Sequence, residues 1–156
     1  MTILNDFNIK ALNSKFADGE PRSILEHSIF NLFKNKIAYV CSFGTESAII
    51  LDLISKIDKD LPIIMLNTHF LYEETIKYKN ELLKLLGLRN CREVFPDNKV
   101  LHKFDREDDL WKTDVDKCCN LRKVIPLEKS LENLDAWVSG RKSYHLGDRH
   151  KLKAFE

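Results

Sequence analysis

Cys118 and Cys119 stand side by side, with Arg122 and Lys123 close behind them. Adjacent cysteines do not readily bridge each other, which leaves three roles: small buried hydrophobes, reactive thiols, or two ligands of a soft-metal site that needs two more. The neighbouring cations would favour thiolate, which serves metal binding and nucleophilic attack alike. A second chemistry lies in Ser42-Phe43-Gly44-Thr45-Glu46-Ser47. Small hydroxyl residues and one Gly let backbone N–H groups converge on an anion, and a helix starting there adds a positive dipole end. A phosphate or sulfate would fit; an ordinary strand-to-helix connection capped by Ser or Thr is the alternative. A third stretch, Gly140-Arg141-Lys142 with Arg149 and His150 behind, offers a basic clamp whose Arg fork takes a phosphate or sulfate bidentately. Solvated surface charge is the alternative there.

These residues need a scaffold that brings distant loops together. Ile37 to Cys41 is a compact apolar run of β-formers, and Ala48 to Ile54 follows the loop in helix-compatible order. Pro62 to Leu66 is a continuous apolar run of the kind buried on both faces of a parallel sheet. It ends at Asn67-Thr68-His69, ordinary turn and helix-entry residues in themselves. Tyr72-Glu73-Glu74 then starts a helix closed by Gly87, and Cys91 to Phe95 reads as a third strand. From Asn98 to Asp116 the pattern loosens to a short helix and a mobile loop. Helical spacing returns from Cys118, with a break or restart expected at Pro126, and Ala136-Trp137-Val138 is a fourth strand. Before the first strand, residues 5 to 35 read as two amphipathic helices that cover the sheet. The fold class is α/β: an open, mostly parallel twisted sheet with flanking helices, whose ligands bind beyond the carboxyl ends of the strands. That edge would gather Ser42 to Ser47, Asn67 to Leu71, the loop after Phe95, and Gly140 to Tyr144.

At 156 residues, 44% of them hydrophobic, the chain suits one domain overall. A helical segment, 1–36, would pack on a core, 37–156. A formal net charge of +1 gives no reason to expect a nucleic-acid or membrane partner, so anion recognition must be local. The amino terminus lacks the regions of a secretory signal, and Cys41 and Cys91 stand alone in apolar segments, so a cytoplasmic address without a disulfide framework is expected.

Ser42 to Ala48, then Leu66-Asn67-Thr68, then Trp111-Lys112-Thr113 ahead of Cys118-Cys119-Asn120-Leu121-Arg122-Lys123-Val124-Ile125-Pro126-Leu127, then Ala136 to Lys142 resemble, in order, the motifs of the assimilatory adenylyl-sulfate and phosphoadenylyl-sulfate reductases. The resemblance covers nearly all of residues 22 to 150. It implies the adenine-nucleotide α-hydrolase-like (Rossmann-like) fold and an oxidoreductase of sulfate assimilation and cysteine biosynthesis. The implied reaction reduces adenosine 5′-phosphosulfate to sulfite and AMP, with thioredoxin or a similar dithiol as donor. A cysteine thiolate attacks the sulfur, AMP leaves, and the external thiol resolves the S-sulfocysteine. By position, Ser42, Phe43, Gly44, Thr45, Glu46 and Ser47 would line the phosphate region, Leu66, Asn67 and Thr68 the adenosine, and Gly140, Arg141 and Lys142 the clamp on the phosphosulfate. Lys123 would link substrate and cluster electrostatically. Members with the double cysteine hold a [4Fe-4S] cluster and prefer the substrate without a 3′-phosphate, which makes Cys118 and Cys119 two of four cluster ligands.

Three features depart from the family pattern. The Cys-x-x-Cys that supplies the other two ligands and the Glu-Cys-Gly that carries the attacking thiol do not occur in this sequence, and the family's Leu-Asp-Thr-Gly is Leu66-Asn67-Thr68-His69. The expectation is a nucleotide-binding portion incomplete at its carboxyl end, without the catalytic thiol, and with no metal if monomeric. Two other readings stay open. One is an ATP-pyrophosphatase or adenylyl-transferring enzyme of the same fold, whose Gly-Gly-x-Asp loop is not matched by Phe43 and Glu46. The other is a non-catalytic nucleotide- or cluster-binding partner: a homo-oligomer in which two copies of Cys118-Cys119 meet across a two-fold axis to supply four thiolates.

Overall fold

The computed structural model describes residues 6–141 and 151–156. They form two compact units, one of residues 1–35 and 140–156, the other Lys36–Ser139.

The Lys36–Ser139 unit carries the sheet. Its strands are β1 (Ile37–Val40), β2 (Ile63–Leu66), β3 (Cys91–Val94) and β4 (Ala136–Ser139). All pairings are parallel, in the order β3-β2-β1-β4. Tyr39 lies opposite Ile63 on one side of β1 and opposite Val138 on the other. The chain thus winds outward through β2 and β3, then returns to the far side of β1 for β4. The loops after β1 and β4 consequently leave from the point where strand order reverses, the usual place for a ligand crevice in open α/β sheets.

The apolar runs of the two central strands explain their place. Consecutive residues Ile63, Ile64 and Met65 are fully buried, as are Ala38 and Tyr39, so neither strand presents a solvent face. Between them, α3 (Ser47–Ile57) buries Leu51 and Ile54, one turn apart. Helix α4 (Glu73–Leu86) opens with Glu73 and Glu74 against the positive end of its dipole. It ends at Gly87, whose φ of 68° permits paired bonds from Gly87 N to Lys84 O and from Leu88 N to Leu83 O.

The segment expected to be a short helix and a loop is two short helices, α5 (Asn98–Phe104) and α6 (Leu110–Thr113). Asp97 caps α5 through the Lys99 amide, and the turn between the helices is pinned by Asp105, whose Oδ1 accepts from Leu110 N at 3.0 Å. Next, α7 (Val115–Cys119), a π turn (Asn120–Val124) and α8 (Ile125–Leu131) run on continuously, with helical dihedrals at both junctions. Of the break or restart expected at Pro126, the structure shows a restart, with α8 beginning at Ile125. The π turn directs the Ile125 amide to Asn120 O, and Pro126 follows within the first turn of the new register, where its missing N–H costs least.

The other unit holds α1 (Asp6–Lys15) and α2 (Pro21–His27), the latter continued by a π turn, Ser28–Leu32. Leu25, Ile29 and Phe33 are buried, as the amphipathic spacing predicts. Asn13 ties α1 to the chain end, donating to the Phe155 carbonyl at 2.7 Å and accepting from its amide at 3.0 Å. Among the described residues, no helix is long and apolar enough to cross a membrane.

Candidate functional site

A cavity of about 530 Å³ opens beyond the carboxyl ends of β1 and β2, wholly within the Lys36–Ser139 unit. Strand ends supply Val40, Cys41, Ser42 and Leu66; the β2–α4 loop supplies Thr68, Phe70 and Leu71. The opposite wall comes from α6 to the π turn: Trp111, Val115, Cys118, Cys119, Arg122 and Lys123. Positions 118, 119, 122 and 123 have the spacing of a single helix face, which is how one segment delivers two thiols and two cations to one cavity.

The two cysteines differ. Cys118 is buried and packs with Leu101, Leu110 and Leu121, whereas Cys119 is exposed. Neither is in a disulfide, and among the described residues no three His, Cys, Asp or Glu side chains are grouped to hold a metal ion. Cys41 is a third thiol on the cavity wall, fully buried and accepting from Phe43 N at 3.3 Å. Its burial pushes the thiol pKa up, outweighing that bond.

The two cations also differ. Arg122 is only 2% exposed. Its Nε and Nη2 donate to Asp105 Oδ2 at 3.0 and 2.6 Å, Nη2 also to Asp108 Oδ1 at 2.5 Å, and Nη1 to the Thr68 carbonyl at 3.0 Å. Phe70 lies against the guanidinium, 4.2 Å from ring centroid to Cζ. Burial works to raise the Asp105 carboxyl, but the Leu110 amide and Arg122 outweigh it and hold it below the usual carboxylate range. The Arg122 charge, expected to favour thiolate, is therefore already answered by two carboxylates. Lys123 is the exposed cation on this wall.

The loop from Ser42 to Ser47 turns sharply at Phe43, which is buried at a φ of 54°. A bulky residue in the left-handed region costs about 1–2 kcal/mol and persists because burial of its ring holds it there. Beyond it, Gly44, Thr45 and Glu46 are exposed. The bonds that start α3 run from Ser47, Ala48 and Ile49 back to the carbonyls of Gly44, Thr45 and Glu46, and no side chain caps the helix. The Ser or Thr cap of the alternative reading is absent. Gly44 has an ordinary φ, and a Cβ built on it meets nothing nearer than Ser42 Oγ at 3.8 Å, so the fold does not require glycine there.

After β2, Asn67 does not line the cavity. Its Nδ2 donates to Glu93 Oε2 at 2.8 Å and its Oδ1 accepts from His69 N at 3.1 Å. Glu93 also pairs with buried Lys79. His69 has a φ of 67°, the conformation for which the resemblance expects glycine, and its ring lies 5.7 Å from that of Phe95.

Of the residues singled out from sequence, Ser42, Leu66, Thr68, Cys118, Cys119 and Lys123 share the cavity. Gly44 to Ser47 form the loop and helix start beside its Ser42 edge, with Phe43 beneath. Gly140 and Arg141 belong to the other unit, where Arg141 pairs with Glu156. Lys142, Arg149 and His150 lie outside the described residues. Val115 and the buried Asp105–Arg122 pair were not read from sequence, where Phe70 counted only within the Asn67 to Leu71 loop and Arg122 only as a cation near the thiols.

An adenosine 5′-phosphosulfate reductase of Mesorhizobium japonicum is 37% identical over 145 residues, 93% of this chain and 57% of that protein. One from Chelativorans sp. is 36% identical over 155 residues, 97% of this chain and 63% of that protein. The chain thus spans roughly three fifths of these curated relatives. The crystal structure of a phosphoadenylyl-sulfate reductase from Candida auris, a phosphate complex, superposes with a TM-score of 0.75 over 89% of this chain and 69% of that one, at 21% identity, and shares the fold. Residues 36–156 match the phosphoadenosine phosphosulfate reductase domain, and the chain belongs to that family.

Proposed function

We propose that this chain is the nucleotide-binding portion of an adenylyl-sulfate reductase. The enzyme would reduce adenosine 5′-phosphosulfate to sulfite and AMP with electrons from a thioredoxin-like dithiol. The observation that carries the reading is the cavity at the carboxyl edge of the sheet. There the strand ends, the adenosine loop and the cysteine face converge on a volume of the size that small ligands occupy.

Each part has a physical role in this reading. Val40, Leu66, Leu71, Phe70 and Trp111 offer an apolar wall that excludes water from the adenosine. The exposed loop residues Gly44 and Thr45, beside the positive dipole end of α3, receive the phosphate. Lys123 faces the sulfonate end; the clamp of Arg141 and Lys142 is carried over from the family resemblance alone. The thiolate that attacks sulfur comes, by family resemblance, from a Glu-Cys-Gly segment that this sequence does not contain. By family resemblance Cys118 and Cys119 would be two of the four thiolate ligands of a four-iron four-sulfur cluster; the other cysteines of this sequence are Cys41 and Cys91, and among the described residues no three metal-ligating side chains are grouped. When bound, such a cluster would supply a local charge beside Lys123.

Calorimetry with AMP and with adenosine 5′-phosphosulfate tests the reading. Saturable binding is expected, and its absence at millimolar ligand would overturn it. Gly44→Ala should leave the thermal midpoint unchanged, because the Cβ fits. It should weaken AMP about tenfold, roughly 1.4 kcal/mol, because the methyl occupies the space a phosphate needs against the backbone. Arg141→Ala should weaken adenosine 5′-phosphosulfate more than adenosine, since a guanidinium acts on the charged end.

A further inference from the structure

We propose that Arg122 is a positioning residue: it locks the two walls of the cavity together and does not itself bind the anion. The ligand side of this proposal rests on the nucleotide reading above.

The argument is one of donor geometry. The guanidinium joins three segments distant in sequence. Nη1 holds the Thr68 carbonyl in the β2–α4 loop, Nε and Nη2 hold Asp105 in the α5–α6 turn, and Nη2 reaches Asp108. The side chain itself rises from the π turn that follows the cysteine pair. Phe70 stacks on the remaining face. Thr68 and Phe70 form one wall of the cavity; Cys118, Cys119 and Lys123 form the other. A planar fork can satisfy these partners at once, whereas a lysine ammonium is a point charge on a flexible stem. Two carboxylates on one buried guanidinium leave little positive potential for a phosphate. Asp108, in the turn the fork holds, and His69, in the loop it holds, both sit at a positive φ.

The test compares wild type with Arg122→Lys, Arg122→Gln and Asp108→Asn. Dissociation constants for adenosine and AMP are measured by calorimetry. Alkylation rates of Cys118 and Cys119 without nucleotide are mapped by peptide mass spectrometry, and circular dichroism verifies folding. In a folded Arg122 variant, adenosine and AMP should weaken by the same factor, about tenfold, because a displaced wall costs the base contacts. Cys118 alkylation should rise about tenfold as its helix is released from the loop. Lys123→Ala should weaken adenosine 5′-phosphosulfate, measured alongside, and leave adenosine unchanged. If the Arg122 variants do not fold, Asp108→Asn removes only the exposed arm of the fork and should move the same readouts about two- to fivefold. Unchanged Cys118 alkylation overturns the proposal. So does a loss confined to AMP, which would make Arg122 an anion ligand. If wild type binds neither nucleotide while Cys118 alkylation still accelerates, the nucleotide reading falls and the brace stands.

Discussion

Asp105→Ala should lower folding free energy by about 3–5 kcal/mol, the range for removing one partner of a buried ion pair. Both side chains are essentially inaccessible, at 1% for Arg122 and 0% for Asp105. Alanine would leave the guanidinium in a low-dielectric site with only the largely exposed Asp108 carboxylate opposite it. It would also take away the acceptor for the Leu110 amide at the start of α6. Asp105→Asn keeps that acceptor but loses the charge, and should fall between alanine and wild type. The pH dependence has a definite sign. The folded Asp105 carboxyl is held below its ordinary value, so its contribution is fully present above the unfolded pKa, near 4, and is lost as pH falls through the folded value. Urea unfolding at pH 7 and at pH 3 should therefore show a wild-type advantage over Asp105→Ala that narrows in acid. A gap under 1 kcal/mol at pH 7 would contradict the pairing.

What made the scaffold legible in sequence was burial on both faces. Ile63-Ile64-Met65 carries no polar residue because the strand has no wet side, and Gly87 stands where a left-handed backbone ends a helix. The adjacent cysteines were equally plain, since their spacing is covalent. The polar partners that fix the cavity were not. Asp105 sits in a run with Glu107, Asp108 and Asp109, and nothing local distinguishes the carboxylate that becomes buried from those that stay in water. Its significance comes from Arg122, which hydrophobic periodicity treats as one more polar residue of a helix. The π turn was hidden for a related reason. A single inserted residue changes the hydrogen-bond register without changing composition, and Pro126 looks like a breaker until Ile125 is seen bonding to Asn120. Phe43 and His69 occupy backbone conformations that sequence rules reserve for Gly or Asn, and there the fold overrides the local preference.

Asn67→Asp, which restores the carboxylate seen in the family's Leu-Asp-Thr-Gly, should destabilise this protein by roughly 2 kcal/mol at pH 7, because it turns a donor into a second acceptor. Here the Asn67 amide donates to Glu93, a carboxylate held below its usual pKa first by Lys79 and then by Asn67. A carboxylate at position 67 would face Glu93 with Lys79 as the single cation between them, and two like charges at hydrogen-bond distance disfavour joint ionisation. One carboxyl of the folded pair would then have a pKa above its unfolded value. The loss is therefore fully present above that raised value and fades as pH falls toward about 4, where the folded and unfolded chains carry nearly the same number of protons on the two carboxyls. Thermal or urea unfolding across pH 4 to 8 should show the gap closing in acid, the same direction as for Asp105→Ala but for the opposite reason: a repulsion relieved, not an attraction lost. The double variant Asn67→Asp/Glu93→Gln separates the two, because exchanging amide and carboxylate across the contact returns a donor to an acceptor and should recover most of the loss at pH 7. Equal stability of Asn67→Asp and wild type at pH 7 would mean that Glu93 does not dictate the amide. The departure from the family pattern follows from that pairing: once Glu93 and Lys79 form the ion pair beneath the loop, position 67 needs an N–H, and His69 takes the left-handed turn whose amide the same Asn side chain accepts.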